Sequence, residues 1–439
     1  MKKFLMIVIS GLIFINVNAQ EKWSLQKCID YAQTNNIVIK QYEINTKYQE
    51  NELQQSKNNR LPGVSANLSQ DFSFGRSEQL DGTYRSRNTM NTSLSLGTNV
   101  VVYSGGRLKN TIVQQDYELK KSLENLKKAK DDVTLNITSG YLEILFAKEM
   151  IKVSEAQADA TRLQIKRTEE LVNAGKLAPG ALLELQSQLA SEELEIVNRQ
   201  NALQIYLLNL TQVLELENYT NFDIVTPELP EMSAVTSVSS SSQVFDKAVE
   251  NRPEIKSAEY QLKSSEIQLK IANSGLYPTV SASAGIGDNY FNMNDVENEG
   301  LGKQLLDNHG EYIGLGVNIP IFNKFQNKTN IENSKLQIEN RRLELESAKK
   351  DLRKQIEQAY TNAVAAFKRY NSSMTAVNSM KESFRYVEEK FNAGRVNSVE
   401  YNDSKSRMSI AESQLIQAKY DFIFRTKILD FYNGIPIEL

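Results

Sequence analysis

The chain repeats itself, and the repeat limits the fold more than any other feature. Residues 29–66 and 245–282 align at an offset of 216, pairing Ala32 with Ala248, Ile39 with Ile255, Pro62 with Pro278 and Val64 with Val280. From residue 94 the offset becomes 219 and holds to the end, pairing Leu96-Gly97 with Leu315-Gly316, Tyr141 with Tyr360 and Asn173-Ala174-Gly175 with Asn392-Ala393-Gly394. A constant offset sustained this long marks a duplicated unit. The three-residue shift falls between two strand candidates, where insertions are tolerated. The expected organisation is a first unit over 20–219, a linker over 220–242 carrying Pro227, Pro230 and a Ser/Val run, and a second unit over 243–439.

Each unit holds two stretches of strict alternation. Over 62–75, Val64, Ala66, Leu68, Phe72 and Phe74 alternate with Ser65, Asn67, Ser69, Asp71 and Ser73. Over 88–103, Met90, Leu94, Leu96, Val100 and Val102 alternate with Asn91, Ser93, Ser95, Gly97 and Asn99. The second unit repeats the pattern over 278–291 (Val280, Ala282, Ala284, Ile286) and 310–322 (Ile313, Leu315, Val317, Ile319, Ile321). Period-two patterning of about ten residues predicts a strand with one apolar and one wet face. A soluble sandwich gives the same pattern, but four strands in a secreted chain have no second sheet to pack against.

Elsewhere the period is helical. Between Leu108 and Val172, and between Asn327 and Phe391, there is no proline, and Gly140 is the only glycine. Ile331, Ile338, Leu345 and Leu352 are seven apart, while Leu119, Leu123, Leu126, Val133, Ile137 and Ile144 follow coiled-coil spacing. A helix of roughly 65 to 70 residues is about 100 Å long. Shorter helical stretches are expected over 24–60, 181–217, 243–275 and 398–432, two of them stacking end to end beside each long one. The strands then lie at one end, and the Asn-Ala-Gly turns, with glycine where a helix ends left-handed, at the other.

Composition removes most other readings. With 40% hydrophobic and 24% charged residues and a mean hydropathy of -0.45, no helical membrane span is expected. The longest apolar run, Phe4–Val17, follows Lys2 and Lys3 and precedes Val17-Asn18-Ala19, the pattern of a cleaved signal peptide over 1–19. Its loss takes the formal net charge from -3 to -5, which leaves no electrostatic footprint for nucleic acid. Cys28 is the only cysteine, so no intramolecular disulfide forms, and it does not sit at the cleavage junction to carry a lipid. His309 is the only histidine, so neither a His-based metal site nor a Ser/His/Asp triad can be assembled. Gly285-Ile286-Gly287 and Gly314-Leu315-Gly316 lack the continuation of a phosphate loop and sit inside alternating strands. No catalytic residue, cofactor or metal is expected, and the chain is not read as an enzyme.

Four amphipathic strands cannot close alone, because the smallest single-chain membrane barrels have about eight and an open edge in lipid leaves unpaired amides. Several copies must share one barrel. Two copies would supply eight strands and three would supply twelve; a bulky helical wall and an open lumen favour three. The heptads alone would equally suit a secreted coiled-coil scaffold or adhesin without a pore.

The sequence resembles the TolC-type outer-membrane efflux family, the outer membrane factors. The residues that carry the likeness are Leu61-Pro62-Gly63-Val64, Leu276-Tyr277-Pro278-Thr279-Val280, the exit Val102-Tyr103-Ser104-Gly105-Gly106-Arg107, and Phe391-Asn392-Ala393-Gly394-Arg395 leading into Val399-Glu400-Tyr401. It covers essentially the whole mature chain, and the arrangement rather than any one motif is specific. The resemblance implies a mainly α fold with a small β part: a long coiled-coil α-helical barrel in the periplasm and a transmembrane β-barrel, four strands per protomer and twelve in a homotrimer, set in outer-membrane lipid. It further implies a Gram-negative export channel that works with a periplasmic adaptor protein and an inner-membrane transporter, in efflux or type I secretion.

In that family an acidic ring often guards the inner end, six and nine residues beyond the second turn glycine. Counting from Gly394 gives Glu400 and Asp403, which share a helix face; from Gly175 the count gives Ala181 and Glu184, so one position matches. Threefold symmetry would gather six carboxylates at one constriction, a focus for cations. The turns Asn173, Ala174, Gly175 and Asn392, Ala393, Gly394 are the expected tips for adaptor docking. Between the third and fourth strands, Asp288–Glu311 sets six acids against Lys303, as expected of a long polar loop facing outward.

Overall fold

A computed structural model describes residues 22–78, 81–217, 221–227, 240–294 and 296–438. The signal peptide expected over 1–19 and most of the expected linker lie outside the described residues. Two long helices, α3 (Arg107–Asn173) and α8 (Gln326–Asn392), stand where the uninterrupted periodicity puts them. Helices α4 (Pro179–Val213) and α9 (Ser398–Tyr432) follow them across short turns.

The expected helices over 24–60 and 243–275 are each broken once. The first is split into α1 (Leu25–Asn35) and α2 (Ile37–Asn58), the second into α5 (Ser241–Asn251) and α6 (Pro253–Ser274). The breaks fall at Asn36 and Arg252, 216 residues apart, by different chemistry. Asn36 leaves the helical region (ψ 130°) and its Oδ1 accepts from the amides of Val38 at 2.9 Å and Ile39 at 3.3 Å, capping α2. Arg252 is held extended (ψ 132°) by Pro253 at the first helical position.

Four strands form one antiparallel sheet in the order β1-β4-β5-β6, where β1 is Gly63–Ser73, β4 Thr89–Ser104, β5 Thr279–Met293 and β6 Gly310–Asn318. The last strand stops short of the expected residue 322, since Pro320 has no amide to donate. Between β1 and β4 lies a hairpin that the alternation does not reveal, β2 (Arg76–Glu78) paired with β3 (Tyr84–Ser86). The loop after β5 contains a short helix, α7 (Leu301–Asp307).

The chain divides into two compact units, each drawn from both repeats. One comprises the chain up to Gln41, Lys128–Glu250 and Leu352 onward. Its core includes Ile137, Tyr141, Ile144 and Leu145 of α3, Leu210 of α4, Val244 and Ala248 of α5, and Ile356 and Ala363 of α8, all buried. Each large aliphatic buried this way contributes about 1.5–3 kcal/mol. In the same unit Trp23 and Ile224 form a parallel β-bridge. The Tyr141 hydroxyl fastens it, reaching the carbonyls of Val225 at 2.7 Å and Trp23 at 3.2 Å.

The other unit, Tyr42–Lys127 and Asn251–Asp351, carries the sheet. Register aligns Ala66, Leu96 and Ile286 in one row across β1, β4 and β5, and Val100, Ala282 and Leu315 in another across β4, β5 and β6. The opposite face carries Ser65, Gly97 and Gly285, with Tyr312 laid over Gly285, where a Cβ would come within 2.6 Å of the ring. The apolar face is most open at its β6 edge, where Ile313 is 91% and Leu315 77% exposed.

Beyond Gly287 the ladder between β5 and β6 ends, and side-chain amides take over. Asn308 donates to Asn289 O at 2.7 Å. Gln304 accepts from Phe291 N and donates to Phe291 O, both at 2.8 Å. Asn298 does the same with Met293 at 2.8 and 2.7 Å. Phe291 and Met293 are thereby satisfied at both main-chain groups, and Asn289 at its carbonyl, without a partner strand.

Candidate gate at the paired helix turns

The two Asn-Ala-Gly turns are built alike. Gly175 (φ 70°) and Gly394 (φ 69°) are left-handed, and each closes a Schellman motif. Lys176 N donates to Leu171 O and Gly175 N to Val172 O, both at 2.9 Å; Arg395 N donates to Lys390 O at 2.8 Å and Gly394 N to Phe391 O at 2.9 Å. Asn173, Ala174, Gly175, Asn392, Ala393 and Gly394 are all exposed at the surface.

The exits differ. Helix α4 begins on Pro179 with no side-chain cap. Helix α9 is capped by Asn397, whose Oδ1 accepts from Glu400 N at 2.9 Å. Glu400 thus sits in the first turn of α9, where the helix dipole favours a carboxylate. Asp403, one turn on, pairs with Arg407 at 3.0 Å. Both carboxylates are exposed on α9. Of the pair counted from Gly175, Ala181 is half-buried, while Glu184 accepts a hydrogen bond from the Ser398 hydroxyl at the start of α9. The one acid that the count from the first turn supplies therefore links that turn to the other.

Behind the turns an apolar cluster joins both helix pairs. Leu185, Phe391 and Tyr401 are buried together, with Ile165, Phe384 and Val396 against them. The Tyr401 ring stacks on Phe391 with centroids 4.7 Å apart, and burial pushes its hydroxyl up to about 12.

Next comes a polar cluster that sequence reading missed. Lys405 of α9 is 8% exposed. Its ammonium donates to Gln157 O at 2.9 Å, to the Thr161 hydroxyl and to Glu192 Oε1 at 2.9 Å, so all three donors are used on α3 and α4. Thr161 in turn donates to Glu192 Oε2 at 2.6 Å. A polar cavity of about 180 Å³ adjoins them, lined in part by Gln188, Glu195 and Arg199. Further along, the Tyr420 hydroxyl donates to Glu149 at 2.6 Å and Lys419 lies 3.4 Å from the same carboxylate. These contacts tie α9 to α3 and α4. The single histidine, His309, stands in the other unit against Asp288 at 3.0 Å.

Comparison with known proteins gives one family. The family model described as outer membrane efflux protein matches residues 28–215 and 244–424. The outer membrane efflux protein BepC of Brucella suis biovar 1 is 19% identical over 422 residues, covering 95% of this chain and 86% of that protein. The outer membrane protein TolC of Escherichia coli is 21% identical over 297 residues, 66% of this chain and 58% of that one. Among solved structures, the outer membrane protein VceC from Vibrio cholerae superposes with a TM-score of 0.76 at 16% identity, covering 94% of this chain and 97% of the other.

Proposed function

Because the chain belongs to the outer membrane efflux protein family, we propose that it is the outer-membrane duct of a tripartite export system. Three copies, each the product of one internal duplication, share a twelve-stranded barrel and a helical conduit through which substrates pass passively. The tips Asn173-Ala174-Gly175 and Asn392-Ala393-Gly394 receive a periplasmic adaptor, which joins the duct to an inner-membrane transporter. Glu400 and Asp403 of the three copies form the acidic inner gate.

One observation carries this reading. The sheet has four strands, two unpaired edges at β1 and β6, and an apolar row open along its length. Such a sheet is unsatisfied in water and in lipid alike until copies close it. No helix among the described residues is long and apolar enough to cross a membrane. Extraction in detergent followed by mass measurement should give a trimer that conducts in planar bilayers. A monomer stable in plain buffer would instead match a soluble scaffold and end the proposal. Multivalent cations added on the helical side should block conduction, and Glu400→Ala with Asp403→Ala should abolish that block.

A further inference from the structure

We infer that the outer rim of the assembly is fastened between copies by ion pairs, the β2–β3 hairpin of one protomer clasping the α7 arm of a second copy. The inference rests on the closed barrel proposed above and adds its partner surface. The argument begins with strand direction. In the order β1-β4-β5-β6 every neighbouring pair is antiparallel, so β1 and β6 run in opposite senses. When copies close a ring, the free edge of β1 meets β6 of the next copy. Opposite senses then set Ser73, the end of β1, beside Gly310, the start of β6. The segment after Ser73 is the hairpin, and the segment before Gly310 is the arm with α7. Topology therefore brings one protomer's hairpin against its neighbour's arm. Within a protomer β1 and β6 are three strand spacings apart, about 14 Å.

Charge agrees with this placement. On the hairpin, Arg76 and Arg85 are exposed and have no carboxylate partner in their own protomer among the described residues. The Arg76 guanidinium is steadied by Tyr84 O at 3.2 Å. One hairpin acid, Asp81, is turned inward on Thr83, accepting from its amide at 3.0 Å and its hydroxyl at 2.7 Å. On the arm, Glu297 and Asp307 are exposed without an ion pair among the described residues, whereas Glu299 is matched by Lys303 at 2.6 Å. The arm is also held in place, because the amides of Asn298, Gln304 and Asn308 bind it to β5. A held acidic arm beside unmatched arginines costs little ordering entropy to join. The hairpin's other flank is already joined to its own arm, where Asn88 N donates to Asn294 Oδ1 at 2.9 Å, so the β1 flank is the one left for a neighbour.

The test uses full-length protein in detergent. Arg76→Glu with Arg85→Glu should lower the temperature at which the trimer dissociates, as should Glu297→Lys with Asp307→Lys. All four substitutions together should restore it, and high salt should erase the differences. Arg85→Cys with Glu297→Cys, treated with a short thiol cross-linker, should give covalent dimers and trimers, with buried Cys28 silent. If reversal leaves the dissociation temperature unchanged, if the fourfold variant is no better than either double, or if cross-links form only within one chain, the inference is overturned while the trimer stands. If the wild type is not a trimer at all, the barrel reading itself fails.

Discussion

The ammonium of Lys405 lies 2.9 Å from Glu192 Oε1, and both side chains are close to nine-tenths buried. A lysine placed this way loses its hydration and recovers it only through oxygens held in position. Removing one partner strands the other charge. Lys405→Met or Glu192→Gln should therefore destabilise the helical unit by about 3–5 kcal/mol, whereas Lys405→Met with Glu192→Met should recover most of the loss. Thermal unfolding of the single and double variants checks this, and additive losses would contradict it.

Two corners at the strand exits share a backbone and differ in residue. Gly105 and Gly106 have φ of 60° and 83°, and 219 residues later Lys324 and Phe325 have 55° and 65°. A side chain in that region costs about 1–2 kcal/mol, part of which glycine gives back through the freedom of the unfolded chain. Lys324→Gly should thus stabilise by about 0.5–1 kcal/mol. Gly105→Ala should cost more than this gain, because its Cβ would stand 2.8 Å from Tyr277 Cβ and 2.9 Å from Ser274 O. Denaturant midpoints of both variants against the wild type give the two signs.

Cys28 is fully buried, and desolvation pushes its thiol from an ordinary 9.0 up to about 12. Native protein should resist iodoacetamide at about pH 8 and react only on unfolding. The same shift carries a sign for stability. The folded state holds the proton more tightly than the unfolded one, so the thiol's contribution is complete below about pH 9 and declines as pH rises toward 12. Cys28→Ala should flatten that alkaline decline in a melting series.

The Tyr141 hydroxyl is the tie between α3 and the Trp23–Ile224 bridge. Tyr141→Phe keeps the ring and leaves the part-buried Val225 carbonyl short of a donor, at a cost of about 1 kcal/mol. Hydrogen exchange at the Trp23 and Val225 amides should quicken before global unfolding does.

The elements legible in the sequence are those written in binary pattern. Alternation marks the four sheet strands, and an unbroken seam marks α3 and α8 nearly to the residue. Left-handed Gly175 and Gly394 are readable as well, because glycine there has a backbone reason. The hairpin β2–β3 and helix α7 escape, being too short for either period to register. The Asn36 break escapes too, since an asparagine inside a helical pattern shows its cap only once the chain bends around it. Lys405 is hidden for another cause: Gln157 and Glu192 are more than 200 residues away in sequence, so its environment is a property of packing. Glu400 and Asp403 are exposed on one protomer, and the gate proposed for them needs neighbouring copies to form.

The amides of Asn298, Gln304 and Asn308 have a last consequence. A stray polypeptide arriving at Phe291 or Met293 meets main-chain groups already bound to side chains, and finds nothing on which to template. Runaway fibre growth, the hazard of any protein with open β margins, is barred along that flank. Open margins are left at β1 and β6, the two edges through which the proposed ring of copies would close and so limit its own count.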